Sequence, residues 1–180
     1  MTYALTWMPA ILRAAGLMVI EVPGWQSAGH GDFGPAKGII CHHTACGHGF
    51  ADMPSEGVVE HGRPDLPGPL CNLLLGRSGH MAAIAAGRAW HAGPGAWKGD
   101  TLGNSHFIGI EAENAGDGHD DWPAVQIDAF HRMCAALLKH IGAPVDMCIG
   151  HKEWAPGRKI DPDFDMNGFR ARVELLMRAK

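Results

Sequence analysis

One stretch of this chain restricts the fold more than any other. Between Pro123 and Gly142 the residues Ile127, Phe130, Cys134, Leu137, Leu138 and Ile141 recur at steps of three and four, so they share one face of a long helix that stops at Gly142. A helix with one apolar side has to lay that side on a partner, and the short apolar runs around it are the candidates. "LMVIEVP" (17–23), "KGIICHH" (37–43) and "HFIGIEAEN" (106–114) read as strands, and "LCNLLLGRSGHMAAIAAG" (70–87) as two strands joined by a tight turn at Ser78-Gly79. "TWMPAILRAAG" (6–16) has helical spacing at Trp7, Ile11, Leu12 and Ala15, and "MNGFRARVELLMRA" (166–179) makes a closing helix with Phe169, Val173, Leu176 and Met177 inward. A short helix fits the Pro/Gly-rich segment at about Ser55 to His61. The expected fold is α/β, a central mixed β-sheet flanked by helices in a single domain over residues 1–180.

Composition narrows the partners. Fifteen Lys plus Arg against 19 Asp plus Glu leave a formal charge of −4, without the basic stripe that a phosphate backbone needs, so nucleic acid is not expected as a partner. No run approaches the roughly 18 apolar residues that span a bilayer, and no basic n-region precedes an apolar stretch at the N-terminus. Neither membrane insertion nor a Sec-type signal is expected, and synthesis in a cytoplasm is. Five cysteines, odd in number and without a CxxC pair, do not read as a disulfide framework, and pairing of Cys41 with Cys46 stays open.

Twelve histidines are the outlier, and neutral imidazole is a common metal ligand. At the end of "KGIICHH" alternation sends His42 and His43 to opposite faces, so only one of them faces a given site. In "GHKEWAPGRKIDPDFD" (150–165), His151 and Asp161 are too far apart for one helical face, but the Pro156-Gly157 turn can fold the segment back. The residues alone leave two readings: a solvated charged turn, or two ligands that with a strand-end His form a three-ligand zinc site with one open position.

"IICHHTA", "AWHAG", "FIGIEAEN" and "GHKEWAPGRKIDP" stand in the order and approximate spacing of type 2 N-acetylmuramoyl-L-alanine amidases, which share a fold with peptidoglycan recognition proteins. The resemblance covers about residues 38–180, leaving 1–37 as an N-terminal helix, strand and loop, and its most specific element is His-x7-Lys-x-Asp-Pro. It implies one Zn²⁺ per chain on His42, His151 and Asp161, with Glu111 as the base beside the metal-bound water and Lys159 facing the reacting carbonyl. By the same resemblance Asn72 and His91 line the substrate groove. Glu113 competes with Glu111, since strand alternation puts both on one face, and Arg158 and Lys152 compete with Lys159.

The implied reaction is hydrolysis of the amide between N-acetylmuramic acid and L-alanine in peptidoglycan. A phage endolysin catalytic domain is the implied setting, monomeric and reaching the wall after holin-dependent release. A cytoplasmic muropeptide-recycling amidase and a non-catalytic peptidoglycan-binding module of the same fold are the alternatives. The chain departs from some relatives in two ways: its only tyrosine, Tyr3, lies outside the matched region, and the third ligand is Asp161 rather than Cys. His43, His48, His80, His106 and His119 are expected mostly at the surface, as are Lys152, Glu153, Arg158 and Asp163.

Overall fold

The structure, a computed structural model, describes residues 3–46, 51–119 and 122–179. In chain order the elements are α1 (Met8–Ala14), β1 (Val19–Glu21), β2 (Gly38–His43), α2 (Glu56–His61), β3 (Gly62–Arg63), β4 (Leu66–Pro67), β5 (Leu73–Leu75), β6 (Met81–Ala83), α3 (Gly103–His106), β7 (Phe107–Ala112), α4 (Ala124–Ile141), β8 (Cys148–Gly150), α5 (His151–Trp154) and α6 (Met166–Arg178). Six strands form one sheet in the order β1-β6-β5-β7-β2-β8, and β3 and β4 form a separate small hairpin. Within the six-stranded sheet, among the described residues, only the β5–β6 pair is antiparallel; the other four pairings are parallel, so the sheet is mixed as expected.

Strand alternation sorts the core into two layers. Ile39, Cys41, Ile108, Ile110 and Cys148 point to the main core, where Phe130, Cys134, Leu137 and Leu138 of α4 meet Phe169 and Val173 of α6. On the other face Ile40, Phe107 and Ile149 pack with Trp154 and Ala92. The long helix is as its periodicity predicts, closed by Gly142 at φ 68°, with Ala143 N–H donating to the Leu138 carbonyl. Asp165 caps α6 by accepting from the N–H groups of Asn167 and Gly168.

Three short elements were not anticipated. β8 is only three residues long, and α3 and α5 are single turns, below the length at which a repeating pattern can be read. The five thiols are free, so Cys41 and Cys46 are unpaired. Among the described residues no helix is long and apolar enough to cross a membrane.

Candidate metal centre and cleft

β7, β2 and β8 lie side by side and run the same way, so their C-terminal ends share one edge. His42, next to last in β2, lies directly opposite Glu111 of β7, and His151 follows β8 as the first residue of α5. The turn after α5 contains Gly157 at φ 79°, and Lys152 N–H donates to the Asp161 carbonyl at 2.7 Å, which brings Asp161 back over α5. His42 Nδ1 and His151 Nδ1 are 2.9 Å apart, and Asp161 Oδ2 lies 3.1 Å from the first and 3.0 Å from the second. All three residues are buried.

The hydrogen bonds behind this trio decide which atoms hold protons. His91 Nε2 is 3.0 Å from the Phe107 carbonyl, which can only accept, so a neutral His91 carries its proton there and turns a lone pair on Nδ1 toward His42. His42 Nε2, 3.1 Å from that lone pair, must donate to it. His151 Nε2 likewise donates to the Ala92 carbonyl at 2.8 Å. Burial holds His42 down to about 4 and His91 well below its usual value, so both are neutral near pH 7. His42 Nδ1, His151 Nδ1 and a carboxylate oxygen of Asp161 therefore converge within about 3 Å of one another, a donor set that could hold a cation. Two imidazoles and one carboxylate suit a first-row divalent ion.

Glu111 and Glu113 have separated. β7 pairing ends at Ala112, and Glu113 turns away to accept from Ser55 N–H, Ser55 Oγ–H and Thr44 Oγ1–H, which makes it a loop brace. Glu111 points to the trio, its Oε1 3.9 Å from His42 Nδ1 and its Oε2 buried without a hydrogen-bond partner. Burial, with the charge of Asp161, pushes the Glu111 carboxyl well above the usual range, and Lys159 opposes the rise. About a fifth of the side chain (18%) still reaches the cleft.

The three candidate cations differ in their partners. Lys152 Nζ donates to the Phe164 carbonyl, and Arg158 donates to the carbonyls of Ala92 and Pro94. Lys159 lines the cleft and forms no ion pair among the described residues. Glu153, expected at the surface, instead accepts from Gly150 N–H and from both Nη atoms of Arg170 of α6, fixing the corner from which His151 projects. His43 is also buried, 3.8 Å from Asp163, while His48 lies outside the described residues.

The two residues expected in the groove differ in placement. Asn72 is fully buried, donating to the carbonyls of Ala85 and Gly87 and accepting from Gly109 N–H, so it braces the sheet and cannot touch a ligand in the cleft. His91 borders the cleft, but both its ring nitrogens are engaged and it works through His42. It lies so close to β7 that a Cβ on Gly109 would meet its Cγ at 2.5 Å, which explains the glycine in "FIGIE".

The cleft over these groups holds about 500 Å³, walled by Arg63 and Leu66 of the β3–β4 hairpin, Trp90, Arg158 and Ile160. A larger hollow of about 620 Å³ between α1, α4 and α6 is lined mainly by alanines and apolar side chains and lies away from the trio.

The family model for N-acetylmuramoyl-L-alanine amidases matches residues 32–164, a span that holds every one of these donors. The chain belongs to that family. This amidase-family chain is 35% identical over 88 residues to the 1,6-anhydro-N-acetylmuramyl-L-alanine amidase AmpD of Enterobacter cloacae, a match covering 48% of the chain and 46% of the relative. The matched stretches span less than half the length of the curated relatives. Its fold resembles that of a crystallised AmpD derivative, with a TM-score of 0.67 at 24% identity over 96% of this chain and 99% of that one. It also resembles the endolysin N-acetylmuramoyl-L-alanine amidase LysCS from Clostridium intestinale, with a TM-score of 0.63 at 13% identity over 87% and 95% of the two chains.

Proposed function

We propose that the chain is a zinc-dependent amidase that hydrolyses the bond between the lactyl group of N-acetylmuramic acid and L-alanine in peptidoglycan. The observation that carries this reading is the convergence of two imidazole nitrogens and a carboxylate oxygen beside a second carboxylate oxygen without a partner, at the floor of an open cleft. The chemistry that zinc supplies when held by His42, His151 and Asp161 is Lewis acidity, which polarises a carbonyl and acidifies water to a pKa of about 7. Glu111 takes the proton of the attacking water and returns it to the leaving nitrogen, the step a poor amine leaving group requires. Lys159, with its ammonium free of carboxylate partners among the described residues, steadies the negative charge that grows on the carbonyl oxygen. Trp90, Leu66 and Ile160 give the sugar and peptide apolar walls.

Digestion of purified peptidoglycan tests the reading. New L-alanine amino termini are expected, whereas new reducing sugars would mean a glycosidase and no product a binding module. Glu111→Gln should keep zinc and fold while losing about 10²–10⁴ in rate.

The setting we propose is lysis of the wall by a monomeric, endolysin-like enzyme. A second setting, recycling of soluble anhydro-muropeptides, is favoured by the AmpD likeness across nearly the whole chain. Rates on intact sacculi and on soluble 1,6-anhydro-muropeptides separate the two.

A further inference from the structure

Directly behind the metal centre, on the opposite face of the sheet, three cysteines meet. Cys41 precedes His42 on β2, Cys148 lies on β8, and Cys134 comes from the middle of α4. Their sulfurs all lie within 4.8 Å of one another, with Cys41 and Cys148 at 3.8 Å, and all three residues are 0% exposed. Among the described residues no imidazole or carboxylate joins them as a fourth donor. The other two cysteines stand apart, Cys71 buried elsewhere in the core and Cys46 partly exposed.

From these positions we propose that Cys41, Cys134 and Cys148 form a second binding site, one for a trivalent thiophilic ion of the arsenite type. Size is the first ground. With sulfur about 2.3 Å from a soft ion, three sulfurs around one centre stand about 3.5–4.0 Å apart, close to the measured 3.8 Å and within a small side-chain rotation of the rest. Donor number is the second: three sulfurs without a fourth ligand suit a three-coordinate centre better than tetrahedral zinc.

Charge is the third ground. The cluster sits in an apolar core, where an uncompensated charge is costly. A monovalent or divalent ion on three thiolates leaves net negative charge there, while a trivalent one leaves none. The step is a condensation without redox: three S–H and three As–O bonds break, three As–S bonds form, and the protons leave with the hydroxyls as three waters.

The test titrates the full chain, kept reduced with a phosphine, with sodium arsenite. One arsenic per chain is expected, seen in native mass spectrometry as a gain of one arsenic less three hydrogens, with three sulfur neighbours in arsenic-edge X-ray absorption. Because the site is formed in the native state, the melting temperature should rise by about 5–10 °C at a hundredfold excess over Kd. Cys134→Ala should remove the three-sulfur signature, and Cys46→Ala should leave binding unchanged. Should Cys134→Ala fail to fold, the absorption spectrum and melting shift of the unaltered chain decide alone. A fall in melting temperature, a two-sulfur shell, unaltered binding by folded Cys134→Ala, or dependence on Cys46 would each overturn the site and leave the thiols as core packing.

Discussion

Replacing His91 by Leu gives the sharpest check on how this centre is built. The change keeps an apolar side chain of moderate size but deletes the acceptor for His42 Nε2–H and the donor to the Phe107 carbonyl, bonds of 3.1 and 3.0 Å. Each buried group left without a partner costs about 1–3 kcal/mol, so the metal-free chain should lose on the order of 3 kcal/mol, or about 6–12 °C in melting temperature. The second effect concerns the ion. Without an acceptor behind it, His42 no longer has to keep its proton on Nε2, and the tautomer that offers Nδ1 to a metal loses its advantage. Losing such an outer partner typically weakens metal binding by about 10–100-fold, equivalent to about 1.4–2.7 kcal/mol. His91→Gln, with one acceptor and one donor, should recover most of that affinity. Competition with a chromophoric chelator measures Kd, and melting of the metal-free chains measures the structural part separately. If His91→Leu bound zinc within about twofold of the unaltered chain, His91 would be a packing residue and the relay from Phe107 to the ion would be refuted.

Other outcomes follow from particular side chains. Lys159→Met should reduce kcat by about 10²–10³ with zinc content unchanged, whereas Lys152→Met, which loses only a bond to the Phe164 carbonyl, should act mainly on stability. Asn72→Leu should lower stability by about 3–5 kcal/mol in denaturant melts, because three backbone groups lose their partner, and should leave KM for soluble muropeptides unchanged. His131 packs on Phe169, and burial, with Arg172, holds it down to about 4 from 6.5. Its folded form takes up a proton later than its unfolded form, so its contribution to stability is present above about pH 6.5 and is lost as pH falls toward 4. His131→Phe should flatten that part of the acid limb in melts run across the same range.

Features that repeat locally were legible in the sequence. The stripe from Ile127 to Ile141, the stop at Gly142 and the hairpin at Ser78-Gly79 all came from spacing and turn chemistry, and all are in the fold. The grouping of His42 with His151 and Asp161 came from motif order, and the folded chain brings those three side chains together. What stayed hidden depends on distant backbone. Asn72 looked like a groove residue because nothing local says that the carbonyls of Ala85 and Gly87 will be waiting for it, and the bond from His91, at the cleft, to the Phe107 carbonyl was hidden for the same reason. Lys152 and Glu153 looked like surface charges for the same reason, since their partners come from the segment around Phe164 and from α6, whereas Arg158 is exposed as expected. Glu113 left the face assigned by alternation because pairing stops one residue earlier.

The placement of β2 between β7 and β8 also governs when the centre can exist during synthesis. His42 leaves the ribosome early, Glu111 much later, and His151 and Asp161 only after β8 has been made and can pair along β2. A nascent chain that stops short of residue 148 carries one donor of three and leaves one side of β2 without its neighbour. The three donors therefore come together only after the segment from Cys148 to Asp161 has been made.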